Sequence, residues 1–238
     1  SINWARIVAQ IVYYVMASLE LGEGTTFVVP TGNFGNVFAG YCARKMGVPL
    51  NLEIATNRND ILTRFFESGT MKAEETHASL SPSMDIQISS NFERYLFDLL
   101  GRDAGKLQGV MKQFKETGSF SLPPELMDKA RKEFTARRTD DTETLETIKK
   151  IHDETGYVLD PHTAVGINAA LEIAKTESGP VVTLATAHPA KFPDAVERAT
   201  SIRPALPSHL ADLLSRPEKF EILPANLQKL QDFIRKNA

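Results

Sequence analysis

Alternating strands and helices predict an α/β fold, a mostly parallel sheet flanked by helices. Three runs carry that expectation. Thr25–Pro30 (TTFVVP) is β-branched and aromatic up to a closing proline. Val37, Phe38, Tyr41, Cys42 and Met46 then recur at helical spacing, with Gly47 and Pro49 as a stop. A second strand-like run, Leu50–Ala55, follows at once.

In order, the chain opens with an apolar run, Ile7–Leu19, that contains Gln10 and falls short of the roughly 20 residues of a membrane-spanning helix. Being apolar nearly all round, it predicts a helix buried inside the protein. The strand at 25–30, a helix over 34–46, the strand at 50–55 and a helix over 59–67 come next. Residues from about 70 to 150 carry charged helical patterns and few β signals, and are expected to form a helical insertion packed beside the sheet. Within them Arg131–Arg138 (RKEFTARR) runs into the acidic TDDTETLE, which suggests a solvated helical surface. A helix over 162–175, a buried strand at Val181–Thr186 and helices near 190–200, 207–215 and 225–236 complete the pattern. Only three convincing strands appear, fewer than a sheet covered on both faces normally has. The chain also opens at Ser1 rather than methionine, on the threshold of an apolar helix. Both features suggest a piece of a longer polypeptide.

Composition excludes several function classes. The 238 residues carry a net charge of −3, with no basic footprint for nucleic acid. The single cysteine, Cys42, fits a reducing cytoplasm and falls on an apolar helix face, as a small buried residue would. The five histidines show no metal-ligand spacing.

Five segments are candidates for chemistry. Thr31-Gly32-Asn33-Phe34-Gly35-Asn36 joins a strand to a helix, where outward N–H groups at the helix's positive end make an anion cradle. A side chain at Gly32 or Gly35 would hold a phosphate away from that backbone. The segment matches neither the nucleoside-triphosphate P-loop nor the dinucleotide G-x-G-x-x-G, and an ordinary βα turn explains it equally well. Asn3 and Arg6 enter the apolar first helix, where a buried arginine needs an anionic partner, either a ligand phosphate or an internal carboxylate. In S-P-S-M-D-I-Q-I-S-S-N-F-E-R, Ser90 and Glu93 form the pattern of a capping box, and Asp85 is expected to be buried and paired. In D-P-H-T-A-V-G, Asp160 and Pro161 make a helix start, placing His162 and Thr163 in the first turn. Finally, Thr186 in T-A-H-P-A-K-F lies near a strand's carboxyl end, where ligands of open α/β sheets bind.

Taken together and in this order, S-I-N-W-A-R, T-G-N-F-G-N, A-T-N-R-N-D, S-P-S-M-D-I-Q-I-S-S-N-F-E-R, D-P-H-T-A-V-G and T-A-H-P-A-K-F resemble the C-terminal half of threonine synthase in its long bacterial and fungal form. The resemblance runs from Ser1 to about Thr200. It implies a tryptophan-synthase-β-like fold (fold type II), a pyridoxal 5'-phosphate cofactor, and conversion of O-phosphohomoserine and water to threonine and phosphate. It further implies that Gly32, Asn33, Phe34, Gly35 and Asn36 hold the cofactor phosphate and that Thr186 meets the pyridine nitrogen. Arg6 with Asn3 would clamp the substrate phosphate, and Asn91, His162 and Thr163 would line the substrate side. The family's cofactor-bearing lysine lies in a Ser-Phe-Lys-Asp-like motif that these residues do not contain, and Lys191 is not that lysine. The whole chain is therefore expected to be an incomplete enzyme domain, inactive without an N-terminal portion. A non-catalytic fragment that binds a phosphorylated ligand or a protein, or a related phospho-lyase, is the alternative.

Overall fold

The computed structural model describes residues 3–237. Ser1 and Ile2, the first two residues of S-I-N-W-A-R, lie outside the described residues. The chain divides into two compact units, up to Pro204 and from Ala205 onward.

The first unit is built on four parallel strands: β1 (Thr25–Pro30), β2 (Leu50–Thr56), β5 (Thr135–Arg138) and β6 (Val181–Thr183), in the order β5-β2-β1-β6. Thr25 pairs with Leu50 and Thr26 with Val181, so β1 is the central register strand. A short antiparallel pair, β3 (Thr70–Lys72) and β4 (Ser119–Ser121), stands apart. Alternate residues of β1 and β2 serve the two faces. Phe27, Val29, Leu52 and Ile54 pack with α1 (Trp4–Leu21), α2 (Gly35–Lys45) and the aromatic side chains of α3 (Ile61–Ser68) and α4 (Phe92–Leu99). Val28 and Ala55 meet Val165, Ala169, Ala170 and Ile173 of α8 (Pro161–Ile173). Both faces of the central strands are thus covered, which accounts for their unbroken apolar sequence.

The middle of the chain supplies α4, α5 (Ala104–Thr117), α6 (Pro124–Glu133) and α7 (Asp141–Thr155), but also β5. The basic run is therefore not one helical surface: α6 stops at Glu133 and Thr135–Arg138 joins the main sheet. Arg137 lies 3.2 Å from Glu53 on β2, and the Thr135 hydroxyl donates to the same carboxylate. Burial pushes the Glu53 carboxyl up, and these two partners draw it back. A charged edge strand with a buried counter-ion does not announce itself as β.

The first helix also departs from expectation. Ile7, Tyr14 and Ser18 are buried, while Val8, Val12, Tyr13, Met16 and Leu19 are 46% to 76% exposed. It packs one stripe on α2 and leaves the other apolar stripe bare. Cys42 is half-buried against the core, and burial with Asp98 nearby pushes its thiol up to about 11. After β6, which is shorter and less buried than expected, α9 (Pro193–Thr200) packs on α7. In the second unit residues 207–215 hold only short 3-10 turns, followed by α10 (Leu227–Asn237). No helix among the described residues is long and apolar enough to cross a membrane.

Candidate functional site

From β1 the chain moves outward to β2 and β5, then returns to place β6 on the other flank of β1. The strand order therefore reverses between β1 and β6, and open α/β sheets bind ligands outside the carboxyl ends at such a point. A crevice of about 200 Å³ lies there. Its walls are the loop after β1 (Pro30 to Asn36), Ser83 with Met84, and the loop after β6 (Thr186, Ala187, Lys191, Phe192), with His162 beneath. Three larger crevices, of about 880, 570 and 320 Å³, are all lined by carboxylates. The smaller one contains none, and among its lining residues are Lys191 and two asparagines. For an anion, chemistry outweighs size.

The cradle's geometry follows from Phe34. This residue adopts the left-handed conformation (φ 61°), which is strained for a bulky side chain. It is held there by burial of its ring against Phe92, Tyr95 and Phe134, at centroid distances of 5.1, 6.0 and 5.4 Å. Its N–H donates to the Thr31 hydroxyl (3.1 Å), so Phe34 turns the chain and neither its ring nor its amide faces the crevice. α2 then begins at Gly35 with no side chain capping it. The amides of Gly35, Asn36 and Val37 have no acceptor within the helix. Tyr14 donates from α1 to the Asn36 carbonyl (2.8 Å) and side-chain oxygen (3.2 Å), which fixes that residue and leaves its NH₂ as a donor. Asn33 is held from behind: its carbonyl accepts from the Asn91 backbone and side chain, and its side-chain oxygen accepts from Ser90. Gly32 has a packing reason as well, because a Cβ there would come within 3.1 Å of the Met84 Cα and the Ile86 side chain.

Other residues singled out by the sequence lie around this loop. Asp160 caps α8 as its sequence predicts, accepting from the amides of His162 and Thr163. His162 is buried. Its Nδ1 lies 3.1 Å from Asp160 and its Nε2 accepts the Ser83 N–H at 3.2 Å, so one tautomer, protonated at Nδ1, satisfies both. Its ring packs on Phe192 at 4.5 Å. Thr163 donates to Asp160 and accepts the Thr186 N–H at 3.1 Å. Thr186 lies beyond the end of β6, its hydroxyl exposed and without a partner among the described residues.

Three expectations are corrected. Asn91 is fully buried, spent on Asn33 and on the Arg94 guanidinium, and does not line the crevice. Ser90 and Glu93 form no capping box: Asn91 stands at the helix entry without a side-chain cap, and Ser90 reaches Asn33 instead. Arg6 is exposed, with no ion pair to a described residue, so it is not a buried charge seeking compensation. Asn3 caps α1 through the Ala5 amide. Neither Asn3 nor Arg6 lines the crevice. Asp85 is half-buried as the hub of Asn57, Asn59 and Ser79, neutral donors rather than a cation. That hub braces the turn carrying Ser83 and Met84, two wall residues that no local pattern marks as functional. Lys191, which the resemblance sets apart from the family's cofactor-bearing lysine, is also one of the walls.

Comparison with known proteins gives a consistent result. The family model described as "Threonine synthase, C-terminal" matches residues 163–234. A threonine synthase of Pseudomonas aeruginosa is 52% identical over 98% of this chain and 51% of its own length. That of Saccharomyces cerevisiae is 42% identical over 99% of this chain and 48% of its own. Among solved structures, PLP-bound threonine synthase from Brucella melitensis superposes with a TM-score of 0.94 at 49% identity, covering 99% of this chain and 52% of that one. The yeast enzyme does so at 0.89 and 38%, again over 99% of this chain and 52% of the other. A threonine deaminase from Solanum lycopersicum shares the fold alone, with a TM-score of 0.52 at 14% identity. The chain spans about half the length of the relatives it matches.

Proposed function

We propose, on the premise that this chain belongs to the threonine synthase family, that its crevice holds the phosphate of pyridoxal 5'-phosphate and forms one side of a pocket for O-phosphohomoserine. The observation that carries this is the uncapped start of α2 opening into the one crevice of the four without a carboxylate. The donor set fits a phosphate ester: backbone amides at a positive helix end, the NH₂ groups of Asn33 and Asn36, and the Lys191 amine.

Each residue of the chain then has a task. The amides of Gly35 and Asn36 with the two asparagine side chains grip the phosphate. Gly32 lets the loop approach Met84 closely, and Phe34 sets the turn from within the core. The free hydroxyl of Thr186 meets the pyridine nitrogen; unlike a carboxylate, it does not enforce a proton there. When bound, the cofactor supplies an electron sink for carbanion chemistry at the amino acid. His162 and Thr163 order the substrate side from beneath. Arg6, an exposed guanidinium with no ion pair to a described residue, grips the departing phosphate together with Asn3, and Asn91 acts on this side through the loop it braces. The lysine that moves protons at Cα and Cβ comes from a portion of the polypeptide outside these residues, and the complete enzyme works in the cytoplasm.

The test compares pyridoxal 5'-phosphate with unphosphorylated pyridoxal by fluorescence titration of this chain. Binding of the phosphate ester, at least ten times tighter and displaced by inorganic phosphate, is expected, together with no threonine formed from O-phosphohomoserine. Equal binding of the two would remove the phosphate cradle, and turnover by the chain alone would remove the need for another lysine.

A further inference from the structure

We propose that Asp160 is a positioning residue that holds two of the crevice's three walls in register, through Thr163 on one side and His162 on the other. This rests on the assignment of the crevice as the cofactor-phosphate site. Asp160 is 2% exposed, and no lysine or arginine among the described residues pairs with it. A helix cap alone does not require this carboxylate, since a serine would serve. Capping uses one oxygen, Oδ1, which accepts from the His162 and Thr163 amides at 2.9 and 3.3 Å.

The remaining contacts reach the crevice. Oδ2 accepts the Thr163 hydroxyl proton, which leaves a lone pair of that hydroxyl to receive the Thr186 N–H at 3.1 Å. Oδ1 also faces His162 Nδ1, which fixes the tautomer whose Nε2 accepts the Ser83 N–H at 3.2 Å. Thr186 with Ala187 and Ser83 with Met84 are two of the crevice's walls. One buried group therefore sets the distance between them, each through a single intervening side chain. Burial pushes the Asp160 carboxyl up, but the bonds from His162 and Thr163 outweigh it and hold the group below the usual carboxylate range. The acceptor stays ionised and both arms stay made.

Serine separates the two roles. It caps a helix as well as aspartate does, yet its single oxygen, once it accepts the capping amides, leaves neither the Thr163 hydroxyl nor His162 Nδ1 its partner. In the intact protein without ligand, Asp160→Ser is expected to speed amide hydrogen exchange at Thr186 and Ser83 about tenfold, the worth of one net hydrogen bond. Protection along the body of α8 should stay at the wild-type level. Thr163→Val removes only one arm and should speed Thr186 while sparing Ser83; it also carries the test if the Asp160 variant fails to fold. Unchanged exchange at both walls would overturn the proposal, as would a uniform loss along α8, which marks a cap and nothing more. Titration with pyridoxal 5'-phosphate tests the underlying assignment separately. Weakened uptake by Asp160→Ser is expected, whereas a wild-type protein that takes up neither this ester nor inorganic phosphate would remove the cofactor assignment and leave the exchange result standing.

Discussion

At Gly40 a methyl group would lie 2.7 Å from a ring carbon of Tyr14 and 2.7 Å from the Leu52 side chain. The same Tyr14 donates its hydroxyl to Asn36 at the cradle, so a residue in mid-helix couples packing to the site. Gly40→Ala should cost about 1–3 kcal/mol in denaturant unfolding, as overpacking of a tight core does, and should weaken phosphate binding by displacing Tyr14. Tyr14→Phe removes the hydroxyl without the clash and should cost about 1 kcal/mol. If Gly40→Ala left both stability and phosphate binding unchanged, the ring would be free to move and the coupling would be absent. Residue roles were legible where they are local. Asp160 followed by proline announces a helix start because a cap depends on its immediate neighbours. Phe34 was legible as part of a turn but not as a left-handed residue, since what holds it is three rings from distant segments. Ser90 satisfied a local capping pattern and lost to a tertiary partner, Asn33.

The elements show the same division between local and distant causes. β1, β2 and α2 appear within a residue or two of their expected bounds because their apolar runs are covered on both faces. β5 was missed because its stabilising charge partner, Glu53, lies 82 residues away by sequence from Thr135. The first helix was legible as a helix but not as half-covered, since an all-round apolar pattern says that a surface becomes buried and not by what. Its bare stripe of Val12, Met16 and Leu19 makes a test. Replacing the three with Lys, Glu and Lys should shift thermal stability of this chain little, within the roughly 0.5 kcal/mol per site typical of surface changes. Self-association, followed by sedimentation velocity, should fall at the same time, because exposed contiguous apolar surface drives it. A large drop in stability would instead show the stripe to be packed within the folded chain.

At the scale of the whole molecule, the net charge of −3 disfavours an approaching anion, so any phosphate affinity must come from the crevice itself. The fold places that crevice where the strand order reverses, a consequence of topology that the sequence conveyed only as two strand ends with suggestive residues. A ligand bound only by the folded state stabilises it by about 2.7 kcal/mol at a hundred times its dissociation constant. For a chain of this size that is roughly 5–11 °C in melting temperature. Pyridoxal 5'-phosphate should therefore raise the midpoint by several degrees, and inorganic phosphate should raise it less. Sodium chloride at matched ionic strength should not reproduce the shift, since general screening acts on surface charges and leaves the cradle empty. Asn36→Asp places a carboxylate among the donors and should abolish the response to both phosphates. A shift that survives this substitution would locate the anion elsewhere on the molecule, away from the start of α2.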